Sequence, residues 1–277
     1  MSSVRLLAID LDDTLLRSDL TISSRNRNAI KRAEAEGVTV VLASGRVPAA
    51  METYVRFLGL HQRPGYLICG NGVLILESHS RHIVYETSIE TGIAFIAYNI
   101  ADAENFAVQI YEKDIMYVSR DNEFTSFDQK LTGLRQVVMK DFKNLLGSGC
   151  HKLLIPGDPA LLAPLQNLLY AYLGDEVTLF TSKPYFLEIL PAHTDKGTAL
   201  AKIAGLLGIK QEETAAIGDS MNDEAMIRWA GIGAAVANGD ERIKKIAGVV
   251  SKKNNDDDGV AEIIEQYILL KQEVCNE

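Results

Sequence analysis

The sequence predicts an α/β fold, a Rossmann-like parallel-sheet core interrupted by an inserted α+β cap domain. Three observations lead there. Short apolar runs at 4–9, 38–43 and 214–217 each end in a polar cluster, as strands buried on both faces do. Helix-forming stretches separate the runs, which is the rhythm of an open parallel sheet. That rhythm stops near residue 86 and resumes after 187, with mostly strand-like runs and helices of a different order between.

Residues 4–9 form the first strand. Ser23 or Ser24 caps a helix running through Glu36, and Gly37 closes it. A strand at 38–43, a helix over 49–58 and a strand at 66–69 follow. Residues 73–76 and 82–86 flank a polar turn and read as a hairpin. In the insertion, 91–103 and 159–173 are helical, while 107–111, 115–118, 152–155 and 177–190 are extended, with helices on one face of the strands. The core resumes with helices at 196–207 and 224–229 and strands at 214–217, 232–236 and 248–251. A helix at 260–270 closes the chain. The expected division is 1–85 for the first part of the core, 86–187 for the cap, taken as the substrate-selecting part, and 188–277 for the rest.

Composition sets outer limits on function. Of 277 residues, 47% are apolar and 23% charged, which excludes disorder, collagen and a disulfide scaffold. With 28 basic against 37 acidic residues the net charge is −9, and no basic run suits a nucleic-acid polymer. Cys69, Cys150 and Cys275 have neither pair nor zinc spacing and read as inert thiols in a reducing compartment. The N-terminus lacks a signal-peptide core and no run nears 18 apolar residues, so no membrane partner and a cytoplasmic location are expected. Nothing in the sequence fixes an oligomeric state.

Four polar clusters carry the chemistry, each at a strand end or helix start. Asp10-Leu11-Asp12-Asp13-Thr14 follows the first strand, where open α/β sheets place their sites. Acids this close repel one another, and a divalent cation with hard oxygen ligands, Mg²⁺, is a reason to tolerate them; a solvated, helix-capping strand end is the plainer alternative. An EF-hand is excluded, because the sixth position holds Leu15 rather than Gly. Ser44-Gly45-Arg46 offers a hydroxyl and backbone N–H groups at a helix start, a feature that binds anions or makes an ordinary turn. Gly218-Asp219-Ser220-Met221-Asn222-Asp223 adds two carboxylates and an amide. Lys196 opens a helix where the macrodipole disfavours a cation, which suggests an anionic partner.

Other chemistries fail on spacing. Gly70-Asn71-Gly72 runs on to Ile75, and Gly231-Ile232-Gly233 to Val236, where dinucleotide fingerprints need a third Gly. No P-loop and no Gly-x-Ser-x-Gly elbow occurs. Together the four clusters supply what phosphoryl transfer needs: a nucleophile, a metal site, cationic charge and an acid/base.

At this point the sequence closely resembles the haloacid dehalogenase-like superfamily, specifically its Cof-type phosphatases. Asp10-x-Asp12-x-Thr14, Ser44 in Leu-Ala-Ser-Gly-Arg, Lys196 in Asp-Lys-Gly and Gly218-Asp219-x-x-Asn222-Asp223 match in order across essentially the whole chain. The resemblance implies a Mg²⁺-dependent phosphatase acting on small phosphorylated metabolites, sugar phosphates or nucleotides, through an aspartyl-phosphate. It implies Asp10 as nucleophile, Asp12 as acid/base, and metal held by Asp10, the Asp12 carbonyl and Asp219. Ser44, the Gly45 and Leu11 amides, Lys196 and Asn222 would hold phosphoryl oxygens, with Thr14, Ser220 and Asp223 supporting them from behind. The third motif departs from the usual pattern, reading Pro191-Ala192-His193-Thr194-Asp195 before the Lys. The alternatives are a phosphomutase or, from another class, a phospho-Asp signalling module; Asp12 and the insertion favour turnover. Arg46, Asn71, Lys152, Lys183 and Glu188 are candidates for selecting the leaving group, with a structural or surface role the plainer reading of each.

Overall fold

The computed structural model describes residues 4–269. It divides into two compact units, one of Met1–Gly45, Thr53–Val84 and Asp195–Glu277, the other of Arg46–Glu52 and Tyr85–Thr194.

The chain enters the first unit with β1 (Leu6–Asp10) and a tight irregular turn, Leu11–Leu15, in which Asp13 adopts φ +62°. There follow α1 (Ser24–Ala35), β2 (Thr39–Ala43), α2 (Pro48–Leu58), β3 (Tyr66–Cys69), β4 (Leu74–Glu77) and β5 (Ile83–Glu86), of which residues 48–52 and 85–86 fall in the second unit. The Ser23 hydroxyl accepts the Asn26 N–H and satisfies one orphan donor at the start of α1, as its sequence position suggests.

The second unit holds α3 (Thr91–Ala103), β6 (Gln109–Glu112), β7 (Ile115–Val118), α4 (Glu123–Thr132), β8 (Arg135–Val138), α5 (Phe142–Leu145), β9 (Leu153–Pro156), α6 (Pro159–Leu173), β10 (Val177–Lys183) and β11 (Phe186–Pro191). Its six strands lie in the order β10-β11-β9-β6-β7-β8, antiparallel except for the parallel β7–β8 pair. Alternate residues of this sheet (Ile110, Leu153, Ile155, Leu187, Ile189) share one apolar cluster with α3 and α6, so both helices cover the same face. The extended run at 177–190 is two strands, because the Pro184-Tyr185 turn reverses the chain. β11 pairs with β9 and β10, and this unit therefore reaches Thr194, beyond the 187 taken from sequence. α4, β8 and α5 have no counterpart in the sequence reading.

The first unit resumes with α7 (Lys196–Leu207), β12 (Thr214–Gly218), α8 (Glu224–Trp229), β13 (Ile232–Ala235), α9 (Glu241–Ile246), β14 (Val249–Val250) and α10 (Gly259–Ile263), which continues as a wider helical turn, Ile264–Leu269. The last residue of the expected closing helix, Leu270, and Cys275 lie outside the described residues. The eight strands run β14-β13-β12-β1-β2-β3-β4-β5, parallel from β14 to β3, with β4 antiparallel to β3. This is the α/β parallel-sheet fold read from the sequence. β1 sits between β2 and β12, so strand order reverses beside it; such switch points open a crevice at the carboxyl ends of strands.

Cys69 and Cys150 are buried, and burial pushes both thiols up to about 12, which keeps them protonated and unreactive. Among the described residues no helix is long and apolar enough to cross a membrane.

Candidate active site

The parallel registers Asp10↔Ala43 and Ile9↔Ile217 bring the ends of β1, β2 and β12 to one level. Asp10, Ser44 and Asp219 therefore emerge side by side from sequence positions far apart. Each of these three strands is buried along its length apart from partly exposed Thr39, as strands at the middle of a covered parallel sheet are.

Lys196 opens α7, is wholly buried, and places Nζ 2.6 Å from Asp10 Oδ1 and 2.6 Å from Asp223 Oδ1. The anionic partner suggested by its awkward first-turn position is thus two carboxylates. Asp195 is the N-cap of α7: its carboxylate accepts the Thr198 N–H at 2.7 Å, while Thr198 Oγ1 accepts the Asp195 N–H at 3.2 Å. The departure in the third motif therefore anchors the helix that carries the lysine, and His193 is exposed to solvent.

Asp223 uses its other oxygen on the backbone. Oδ2 accepts the Asp219 N–H at 2.9 Å and the Ser220 N–H at 3.2 Å, holding the loop after β12 closed. Gly218 makes this possible, since any side chain there would collide with the Asp223 carboxylate. Thr14 Oγ1 donates to Asp219 Oδ1 at 3.0 Å, tying the first motif to the fourth. Ser220 Oγ donates to Asn222 Oδ1 at 2.6 Å, and Asn222 Nδ2 donates to Asn71 Oδ1 at 3.0 Å.

Ser44 is buried at the end of β2, with Gly45 beside it. Leu11 is buried and Asp12 half-buried, both in the turn leaving β1. Asn71, read from sequence as structural or surface, is only 1% exposed and lies among these groups. Sequence reasoning also passed over Asn238 and Asn255. Asn238 Nδ2 donates to the Asp13 carbonyl at 2.7 Å and Asn255 Nδ2 to the Leu16 carbonyl at 2.9 Å, while the Asn255 N–H donates to Asn238 Oδ1. The signal was an Asn-rich loop (Asn254-Asn255) with no acid or base to draw attention.

Burial pushes the Asp10 carboxyl up to about 7; the Asp223 charge adds to the rise and the Lys196 ammonium opposes it. For Lys196, burial alone would lower the ammonium, but the carboxylates of Asp10 and Asp223 outweigh it and hold the group well above the usual lysine range. One oxygen from each of Asp10, Asp219 and Asp223 falls within 4.8 Å of the others. An all-oxygen, buried, net-negative cluster fits a hard divalent cation of the Mg²⁺ type.

The comparisons agree with the geometry. The family described as haloacid dehalogenase-like hydrolase matches residues 7–264, and the chain belongs to it. Like its phosphatase relatives, it is a phosphoric monoester hydrolase acting on small phosphorylated substrates. It is similar to YxeH of Bacillus subtilis (strain 168), 31% identical over 269 residues, 96% of this chain and 99% of that one. The 5-amino-6-(5-phospho-D-ribitylamino)uracil phosphatase YwtE of the same organism is 30% identical over 292 residues, covering 96% and 98%. Among solved structures, a haloacid dehalogenase-like hydrolase from Bacteroides thetaiotaomicron superposes with a TM-score of 0.88 at 32% identity, covering 95% of this chain and 99% of that one.

Proposed function

We propose that this chain hydrolyses small phosphate monoesters, sugar phosphates foremost, with Mg²⁺ and through a phosphoryl group carried on Asp10. The observation that carries the reading is the Asp10 carboxylate at the end of β1, faced by the buried Lys196 ammonium and grouped with Asp219 and Asp223. A carboxylate meeting a phosphate dianion needs such charge around it before attack can occur. Asp10, Asp219 and the Asp12 main-chain carbonyl would hold the cation, which supplies charge neutralisation at the phosphoryl oxygens.

The steps balance without any other reactant. A carboxylate oxygen of Asp10 forms a bond to phosphorus as the bond from phosphorus to the leaving oxygen breaks. Asp12, protonated, gives its proton to that oxygen, and the alcohol departs. Asp12, now a carboxylate, takes a proton from water as the water oxygen bonds to phosphorus. The phosphorus bond to Asp10 breaks, restoring the carboxylate and releasing inorganic phosphate. Ser44, the Leu11 and Gly45 amides, Lys196 and Asn222 are the groups we assign to the phosphoryl oxygens. Thr14, Ser220 and Asp223 hold Asp219, Asn222 and Lys196 in place. The unit containing β6–β11 would choose the leaving group.

The test is phosphate release from a panel of sugar phosphates, nucleotides and 5-phospho-D-ribityl compounds, with Mg²⁺ or with EDTA, beside Asp10→Asn. Release that needs Mg²⁺ and is lost in Asp10→Asn is the expected result. No release from a folded protein would turn attention to a phosphomutase, which shares the phosphorylated Asp10 but returns the group to its substrate.

A further inference from the structure

Gly70-Asn71-Gly72 fails as a nucleotide fingerprint, yet it forms the turn after β3 and all three residues have positive φ, +58°, +59° and +110°. Glycine adopts such angles freely; a residue with a side chain does so at a cost of about 1 kcal/mol or more. Asparagine is among the few residues with a side chain that tolerate this region well, so its role is read from its contacts rather than from its backbone angles.

Its contacts reach two of the four motif loops, and those of its neighbour Gly72 reach a third. The Asn71 N–H donates to the Ser44 carbonyl at 2.9 Å. Its side-chain oxygen accepts from Asn222 Nδ2 at 3.0 Å. Its amide lies against Gly45, where an added Cβ would stand 3.0 Å from Asn71 Nδ2. Next in sequence, Gly72 lies so near the Asp195 carbonyl, at the cap of the Lys196 helix, that a side chain there would collide with it.

Asn222 is held at both ends of its amide: Ser220 Oγ donates to its oxygen, and one of its N–H bonds goes to Asn71. Those two bonds fix the plane of the amide and so aim its second N–H. We propose that Asn71 is a positioning residue for phosphoryl transfer, orienting Asn222 and the Ser44–Gly45 loop toward the phosphoryl oxygens. The inference rests on the function proposed above and adds a residue to it.

Asn71→Gly tests it, because glycine keeps the turn and deletes the amide. The full-length protein is assayed with Mg²⁺ on p-nitrophenyl phosphate and for inhibition by orthovanadate, alone and combined with Asn222→Ala. The expected result is a loss in kcat/KM of about 10- to 100-fold, similarly weakened vanadate inhibition, and a Tm no lower than the parent's. Since Asn71 acts through Asn222, the double variant should fall no more than about threefold below Asn222→Ala alone. Should Asn71→Gly not fold, Asn71→Ala is put through the same cycle.

A parent-like Asn71→Gly enzyme would overturn the inference, as would losses that simply multiply in the double variant. A parent that neither turns over the ester nor binds vanadate would instead sink the function beneath it, and the inference with it. An active parent with an inactive Asp10→Asn leaves the function standing whatever Asn71→Gly does.

Discussion

The Lys196 ammonium and the Asp10 carboxylate, 186 positions apart in sequence, meet at 2.6 Å and both are buried. Asp223 shares the same ammonium, so one cation stands between two buried carboxylates. Removing one partner of a buried pair costs about 3–5 kcal/mol, because the remaining charge has nothing to balance it. Lys196→Met should therefore lower the urea midpoint measured in EDTA and abolish phosphate release. An unchanged midpoint would mean that the pair contributes nothing to the fold.

Asp12 is half-buried in the turn leaving β1, next to the carboxylate assigned as nucleophile. If it protonates the leaving oxygen, Asp12→Ala should slow release of a sugar alcohol about 10²–10⁴-fold and release of p-nitrophenol much less. The measurement is kcat across esters of graded leaving-group pKa. Equal losses for all of them would remove the acid role.

Much of this was legible in the sequence, and the reason differs from element to element. The helices Thr91–Ala103, Pro159–Leu173, Lys196–Leu207 and Glu224–Trp229 have the residue limits expected of them, because capping residues or sharp changes in periodicity mark their ends. α4 (Glu-Phe-Thr-Ser-Phe-Asp-Gln-Lys-Leu-Thr) has only three large apolar residues and gives no clear stripe. Its signal was the Asn122–Thr125 capping box, which needs no hydrophobic run. Acids at strand ends and a lysine at a helix start pointed to the site directly. Asn71, Asn238 and Asn255 did not, because an amide gains meaning only from the carbonyl or amide that the fold brings to it.

Asn255 illustrates the point in energetic terms. Its side chain is buried and gives its hydrogen bond to the Leu16 carbonyl, at the far end of the turn carrying Asp12. Asn255→Ala should destabilise the protein by about 1–3 kcal/mol, the cost of leaving a buried carbonyl unpaired, and should also reduce kcat as the turn loosens. Chemical denaturation and steady-state kinetics on the same preparation check both. Lost stability with an unchanged kcat would separate the turn's anchor from its chemistry.

Asp128 on α4 carries a different liability. Tyr111 Oη and Gln109 Nε2 both donate to its Oδ2, yet burial outweighs them and pushes the carboxyl above its ordinary value. A raised folded-state pKa favours the protonated form: its stabilising contribution is complete below about pH 3.9 and is lost as pH rises through the folded value. Asp128→Asn keeps an oxygen for both donors and removes the buried charge. It should raise Tm by about 1–3 °C at pH 8, with a smaller gain at pH 4.5. A Tm that falls at pH 8 would show that the charge is needed where it sits.

The placement of β1 has a consequence during synthesis. β2 emerges from the ribosome soon after β1 and can pair with it at once, but β12, its neighbour on the other side, is made about two hundred residues later. At translation rates of 5–20 residues per second the wait is roughly 10–40 s. Throughout it, β1, all five of whose residues are buried in the finished fold, offers one open row of N–H and C=O groups to any passing β-strand. Until β12 arrives, this central strand behaves as a peripheral one, and the growing polypeptide is at its most prone to cross-pair with its neighbours on the same messenger.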